Sequence, residues 1–492
     1  VRTPSPRNRP QTPAHDVGAR PSQRRRTSRA LVIVAAAGLV AATLSAPASA
    51  QEGSVSTGTG SGGGQFGGPL ESIWEGTPDG RDSAFYTDPA PLENAPGRVI
   101  RTEDAQLLTT APGDALAAAG SAGSADGAGL HANAQRVLYE STDAHGAPIA
   151  ASGLFVRNEA PASARHDERP LVVLSPGTQG LGDQCAPSKT MPSVLDAQFS
   201  PGVSVGLGYE VGQVHYFLAR GFSVFVTDYQ GVGTPDAATY LTRDAMAHAA
   251  LDGARAAKAI PESGVSDESK VGFFGHSQGG GATAAAAELA PSYAADLNIA
   301  GAAVSGPPAD LYPMLDVVDR SINAGLVGFV SSGLAAAYPD AADSLRDVFN
   351  DEGQAMLDRS ASSCVGDSIG AYGFADSRTW TKDGHSFADN LRSNPELDEL
   401  VNAQRIGLGK PEVPVAIIQE PNDDIIPEGQ VRQLEADWCA QGVQVDYLEG
   451  FLPPLMPSTA TVHMAAGLHS KGADWLADRV AGGAVNDTCS AT

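Results

Sequence analysis

The chain reads as an α/β fold: a mostly parallel central sheet flanked by helices, with a helical insertion in its second half. Three observations carry this reading. From Pro170 onward, unbroken apolar runs of strand length alternate with helix-period segments, as expected of strands buried on both faces and joined by crossover helices. One such run, Lys270 to Gly275, passes through a glycine-flanked serine straight into a small-residue helix. Between Val304 and Val415 the strand rhythm stops while helical patterns continue, and a compact domain does not carry a structureless loop of that length.

Taken in order, apolar alternation at Gln135 to Tyr139 and Pro148 to Val156 predicts two antiparallel strands. Leu171 to Leu174 is the first strand buried on both faces. A helix through Tyr209 to Arg220 leads to the strand Phe222 to Thr227, and an Ala-rich helix from Arg243 to Ile260 leads to Val271 to Phe274. Ile299 to Val304 follows the helix behind the serine. Ala341 to Leu357 and Pro395 to Arg405 have helical patterns of their own, so 311–407 is read as an inserted helical cap over the mouth of the sheet. Val415 to Ile418, a helix from Glu428 to Ala440 and Val443 to Leu448 then complete the sheet. The core is therefore expected in two parts, 85–310 and 408–492, and no internal repeat is visible.

Residues 1–50 have the form of a secretory signal peptide. Arg24-Arg25-Arg26 and Arg29 precede an apolar stretch from Leu31 to Leu44, too short for a comfortable membrane span, and Ala48-Ser49-Ala50 offers small residues for cleavage near Ala50. Arg25-Arg26 also admits a twin-arginine route, although Thr27 and Ser28 follow where apolar residues are expected. A Gly/Ser-rich flexible linker is expected over 51–84. The chain carries 32 basic and 57 acidic residues, a formal charge of −25; the first fifty contribute eight Arg and one Asp, or +7, leaving −32 for the remainder. So acidic a body repels nucleic acid and anionic membrane surfaces and suits an exported protein with neutral substrates. The four cysteines, Cys185, Cys364, Cys439 and Cys489, suggest two disulfides in an exported chain. Three pairings are possible. None of the four has the short spacing of a zinc site, and no metal or cofactor motif is present.

The sequence Gly275-His276-Ser277-Gln278-Gly279 has the form of a nucleophile elbow, in which a sharp strand-to-helix turn lifts the serine hydroxyl clear of the sheet. The bare pattern is weak in a chain with 56 glycines, and it recurs at Gly202-Val203-Ser204-Val205-Gly206. Ser204 lacks the strand before and the helix after, and is read as loop. Ser277 has both. A serine so placed needs an acid and then a histidine, in that chain order. Asp423, just past the Val415–Ile418 strand, is the chosen acid; Asp424 beside it and Asp310 after the preceding strand are the alternatives, and a helix cap is the plain structural role for Asp423. After the last strand two histidines remain. His463 is chosen and placed before the Ala-rich C-terminal helix. His469 lies six residues on, about 240° round a helix, and is read as a surface or packing residue. His276 is expected to point away from the site. The implied chemistry is acyl transfer through a Ser277–Asp423–His463 triad, with oxyanion donors from the Gln278 amide and from the glycine-rich loop Ser175 to Cys185.

Gly177-Thr178-Gln179-Gly180-Leu181-Gly182-Asp183-Gln184-Cys185-Ala186-Pro187-Ser188 resembles the first-strand loop of the secretory lipase family, the lipase A type of yeasts and its bacterial relatives. Asp228-Tyr229-Gln230-Gly231-Val232-Gly233-Thr234-Pro235, the elbow itself and Asp423-Asp424-Ile425-Ile426-Pro427 are similar to segments of the same family, and the likeness runs from about Phe85 to Ala481. The resemblance implies an α/β-hydrolase fold with a helical cap, acting on acylglycerols and other esters. It maps the triad onto Ser277, Asp423 and His463, gives Asp183 with Gln278 as oxyanion donors, and favours the pairs Cys185–Cys364 and Cys439–Cys489. The expected partner is a lipid or other ester substrate, with no nucleic acid, no stable membrane span in the mature protein and no cofactor. The same triad would serve a short-chain carboxylesterase, an acyltransferase or, less readily, a peptidase. A catalytically inactive surface-binding protein on the same scaffold is the reading from another class, and its mark would be loss of a triad residue.

Overall fold

The computed structural model describes residues 84–87, 91–105, 132–159, 168–191, 195–198 and 204–491. The expected signal peptide and all of the expected linker except Ala84 lie outside the described residues.

Strands β1 (Val99–Ala105), β2 (Ala132–Thr142) and β3 (Pro148–Asn158) open the sheet, followed by β4 (Leu171–Ser175) and the short helix α1 (Pro187–Thr190). A separate antiparallel pair, β5 (Leu195–Gln198) and β6 (Ser204–Leu207), comes next. Then follow α2 (Val211–Leu218), β7 (Ser223–Gln230), α3 (Arg243–Ala259), β8 (Val271–His276), α4 (Gln278–Tyr293) and β9 (Ile299–Ser305). Seven helices occupy the stretch before the next strand: α5 (Leu311–Val318), α6 (Leu326–Ala337), α7 (Ala342–Asp347), α8 (Asp351–Ser360), α9 (Val365–Tyr372), α10 (Phe387–Ser393) and α11 (Pro395–Ala403). The chain ends with β10 (Val415–Gln419), α12 (Glu428–Ala440), β11 (Val445–Glu449), α13 (Thr461–Ala466) and α14 (Lys471–Val480).

Nine strands form one sheet in the order β1-β2-β3-β7-β4-β8-β9-β10-β11. The first three pairings are antiparallel, and every pairing from β7 to β11 is parallel. This is the mostly parallel sheet expected from the sequence, with helices on both faces. The unbroken apolar runs of the sequence turn out to serve two cores in alternation. Val173, Phe225, Phe273, Val304 and Ile417 face one side, under α3, α4 and α12. Val172, Val224, Phe274, Ala303 and Ile418 face the other, under α2 and α14. Each of these Val, Ile and Phe side chains, fully buried, contributes roughly 1.5–3 kcal/mol. The alanines of α3 and α4 let backbone approach the sheet closely: a Cβ added at Gly253 in α3 would lie 2.5 Å from the Phe225 ring.

Three local expectations are corrected. Ser204 is not in a loop; it begins β6 and pairs with Gln198. The helical pattern from Ala341 to Leu357 is broken at Val348–Asn350, because the Asn350 side chain accepts the Gly353 N–H and starts a new helix. His463 lies before α14, as expected, but inside a short helix of its own, α13. That helix ends at Gly467, whose carbonyl accepts from the Gln213 side chain at 2.6 Å, so the angular argument separating His463 from His469 does not apply.

Candidate active site

The elbow follows from its glycines. Ser277 has φ +60° and ψ −125°, a strained conformation for a residue with a Cβ, costing on the order of 1–3 kcal/mol. The surrounding backbone tolerates it because nothing projects from the neighbours. A Cβ at Gly275 would sit 2.0 Å from the Gly279 carbonyl oxygen, one at Gly279 1.9 Å from that of Ser175, and one at Gly280 2.4 Å from that of Ser305. The Ser277 N–H donates to Ser305 O at 2.9 Å, and its own carbonyl accepts from Gly281 at 3.0 Å to start α4. The Gln278 amide, at the first position of α4, has no acceptor within the helix.

Asp423 lies in the turn after β10. Its Oδ1 accepts the N–H groups of Ile425 and Ile426 at 2.9 and 2.8 Å. His463 Nδ1 lies 3.0 and 2.8 Å from its two carboxylate oxygens. Burial disfavours the Asp423 charge, but His463 and the two backbone donors outweigh it and hold the carboxyl below its ordinary range. A carboxylate only accepts, so the proton of His463 sits on Nδ1 and Nε2 presents a lone pair. That Nε2 is buried without a hydrogen-bond partner.

The runner-up acids have other work. Asp424 accepts the backbone N–H of His463 and of Thr459, each at 3.2 Å, and so anchors the start of α13. Asp310 caps α5 by accepting the Tyr312 N–H at 2.9 Å. His469 is half-buried, burial holds its imidazole down at about 4, and its carbonyl accepts from Gln213.

His276 departs from expectation. Its ring packs against that of His463, with centroids 4.5 Å apart, and its Nδ1 lies 3.0 Å from Ser305 Oγ. Burial, aided by the charge of His463, holds its imidazole down at about 3. It therefore stays neutral beside the His463 imidazole. Residue identity alone carries no signal for this contact, which arises from the closing of β8, β9 and α13. Gly306, with φ +50°, marks the meeting point. A Cβ there would stand 3.4 Å from His276 Cε1, 3.4 Å from His463 Cε1 and 3.5 Å from Asp423 Oδ2. Asp423 and His463 are thus hydrogen-bonded to each other and lie against the residue preceding Ser277. No hydrogen bond joins Ser277 to His463 in this structure.

Asp183 heads a single 3-10 turn, Asp183–Cys185, at the end of the loop that follows β4. That loop is tied to the helical segment. Gly180 bridges Cys364, Leu181 N–H donates to Ser363 O at 3.0 Å, and Cys185 is disulfide-bonded to Cys364. The second disulfide, Cys439–Cys489, fastens the C-terminus to α12. Replacing both Cys185 and Cys364 by serine is expected to lower unfolding free energy by about 2–4 kcal/mol, read from denaturant melts. Equal stability would show that the tie does not hold the scaffold.

A sheet of this order with a serine at the strand-to-helix turn after β8 defines an α/β-hydrolase. A model of the secretory lipase family matches residues 196–487, more than half of the chain. The chain belongs to that family of carboxylic ester hydrolases. It is similar to a protein of Mycobacterium tuberculosis named "probable inactive lipase", 27% identical over 82% of this chain and 83% of the relative. It is 26% identical to a secreted triacylglycerol lipase of Malassezia globosa, over 67% of this chain and 69% of that one. Among solved structures, Candida antarctica lipase A in its closed state superposes with a TM-score of 0.63 at 22% identity, covering 77% of this chain and 82% of that one.

Proposed function

We propose that the chain is a secreted triacylglycerol lipase that works through Ser277, His463 and Asp423. The observation that carries this reading is the buried Asp423–His463 pair, packed beside an elbow whose glycines leave no room for other residues. His463 Nε2 takes the Ser277 proton as Oγ attacks the ester carbonyl. The Gln278 and Asp183 amides receive the oxyanion, and Asp423 holds the imidazolium. The tetrahedral intermediate collapses to an acyl-enzyme as His463 returns the proton to the leaving alcohol. Water, activated by the same imidazole, then releases the fatty acid. In this reading 311–407 is a cap over the site and the leader is removed near Ala50. Among the described residues, no helix is long and apolar enough to cross a membrane.

A relative named as an inactive lipase gives weight to the alternative of a binding protein. All three triad residue types are present here, which favours the enzyme. A serine-directed organophosphate is expected to label Ser277 in the folded protein, located by peptide mass mapping, and absence of label there would favour the binding protein. Hydrolysis of p-nitrophenyl esters of rising chain length, with and without an oil phase, then separates a lipase from a short-chain carboxylesterase. Transfer to added alcohol acceptors would reveal an acyltransferase.

A further inference from the structure

The loop after β4 is held almost residue by residue. Tyr229 Oη donates to Pro176 O at 2.7 Å, Gly177 N–H donates to Glu210 Oε1 at 2.8 Å, and Tyr209 Oη donates to Thr178 O at 3.0 Å. Thr178 Oγ1 lies 2.6 Å from Tyr240 Oη. Gln179 Nε2 donates to both carboxylate oxygens of Glu210, at 3.1 Å each, while its carbonyl accepts from Val365 at 2.7 Å. Glu210 thus serves two residues of the loop. It is 5% exposed, stands at the head of α2 and has no salt-bridge partner among the described residues. A buried carboxylate is costly unless hydrogen-bonded, and its neighbours are donors, which select the charged form. The loop also abuts the elbow. A Cβ at Gly177 would lie 3.3 Å from His276 O, and one at Gly279 1.9 Å from Ser175 O.

We propose that Glu210 is a positioning residue: its carboxylate fixes the backbone from Gly177 to Gln179 against the elbow and so sets where amides further along the same loop meet the oxyanion. This rests on the triad reading above. Burial pushes the Glu210 carboxyl up to about 8, against the pull of its hydrogen-bond donors. The titratable groups around it are Tyr209 and Tyr229, kept neutral by burial, and His276, neutral above about pH 3. The charged form, which accepts from both loop residues, therefore gains population as pH rises through 8. The turnover rate should show an ascending limb there.

The test measures kcat and KM on a soluble p-nitrophenyl ester from pH 6 to pH 10, normalised by organophosphate titration of active sites. Glu210→Gln keeps the shape but turns a donor toward the Gln179 amide. It is expected to lower kcat about 10- to 100-fold, part of the loss seen when an oxyanion donor is removed. KM should stay within about threefold, and the limb near pH 8 should disappear. Glu140→Gln serves as the structural control. Glu140 is a buried carboxyl on β2 that accepts from Glu93 and Ala95, each at 2.7 Å, and pairs with Arg98; this variant should lose stability and keep kcat. A kcat within twofold of the parent and an unchanged pH profile in Glu210→Gln would overturn the proposal. If that variant does not fold, Glu210→Asp is read instead: lowered kcat with the limb retained supports the role, and full kcat ends it. Full activity in Ser277→Ala would instead sink the triad reading, so the two failures are separable.

Discussion

Ser277→Ala is expected to lower kcat by about four to six orders of magnitude while leaving the fold intact. The size follows from the role: without Oγ no acyl-enzyme forms, and only oriented binding and the oxyanion donors remain to favour attack by water. The fold survives because alanine keeps the Cβ that already tolerates φ +60°, and the side chain is only half-buried. Stability should change by no more than about 1 kcal/mol. Ser204→Ala is the internal control, since its serine begins a short two-stranded ribbon and has no elbow around it. It should retain most activity. Steady-state hydrolysis of a p-nitrophenyl ester, with thermal melts of both variants, decides the matter. Near-normal turnover in the Ser277 variant would mean that another nucleophile operates.

Asp423→Asn is expected to lower kcat by about 10⁴-fold. Asparagine fills the same space, and its carbonyl oxygen can still accept the N–H groups of Ile425 and Ile426. Its amide nitrogen, however, would then face His463 Nδ1. A donor there selects the tautomer with the proton on Nε2, so the imidazole presents N–H to Ser277 where a lone pair is required. The negative charge that would stabilise the imidazolium is also gone. Asp424→Asn provides the comparison. It weakens two backbone contacts at the start of α13 without altering the tautomer, and its cost should be about tenfold or less. Equal losses in the two variants would mean that the carboxylates support the loop together and that neither orients the imidazole.

The sheet was legible because its strands are apolar on both faces and short, and because α12 is bounded as its pattern suggests, from Glu428 to Ala440. The elbow was legible because glycines are required where Cβ atoms would collide. Two features of the candidate site were not. The packing of the His276 ring against that of His463 joins residues 276 and 463 through the closing of three elements, and no local pattern encodes such a contact. Glu210 reads as an ordinary acid at a helix start until the fold carries the β4 loop over it. Strand β1 escaped notice because its burial is partial and its middle is polar, Arg101 to Asp104. The break inside the Ala341–Leu357 pattern depends on one asparagine side chain turning back onto the backbone, a choice that hydrophobic period does not record.

The covalent link between Cys185 and Cys364 spans 179 residues. During synthesis the loop after β4 emerges first and cannot be locked until the chain beyond residue 364 has been made and the two thiols have met. Completion of the fold around that loop is therefore timed by oxidation as well as by collapse of the sheet. Any displacement of the helical segment must pivot about Cys364, near its middle, where it stays fastened to the loop after β4.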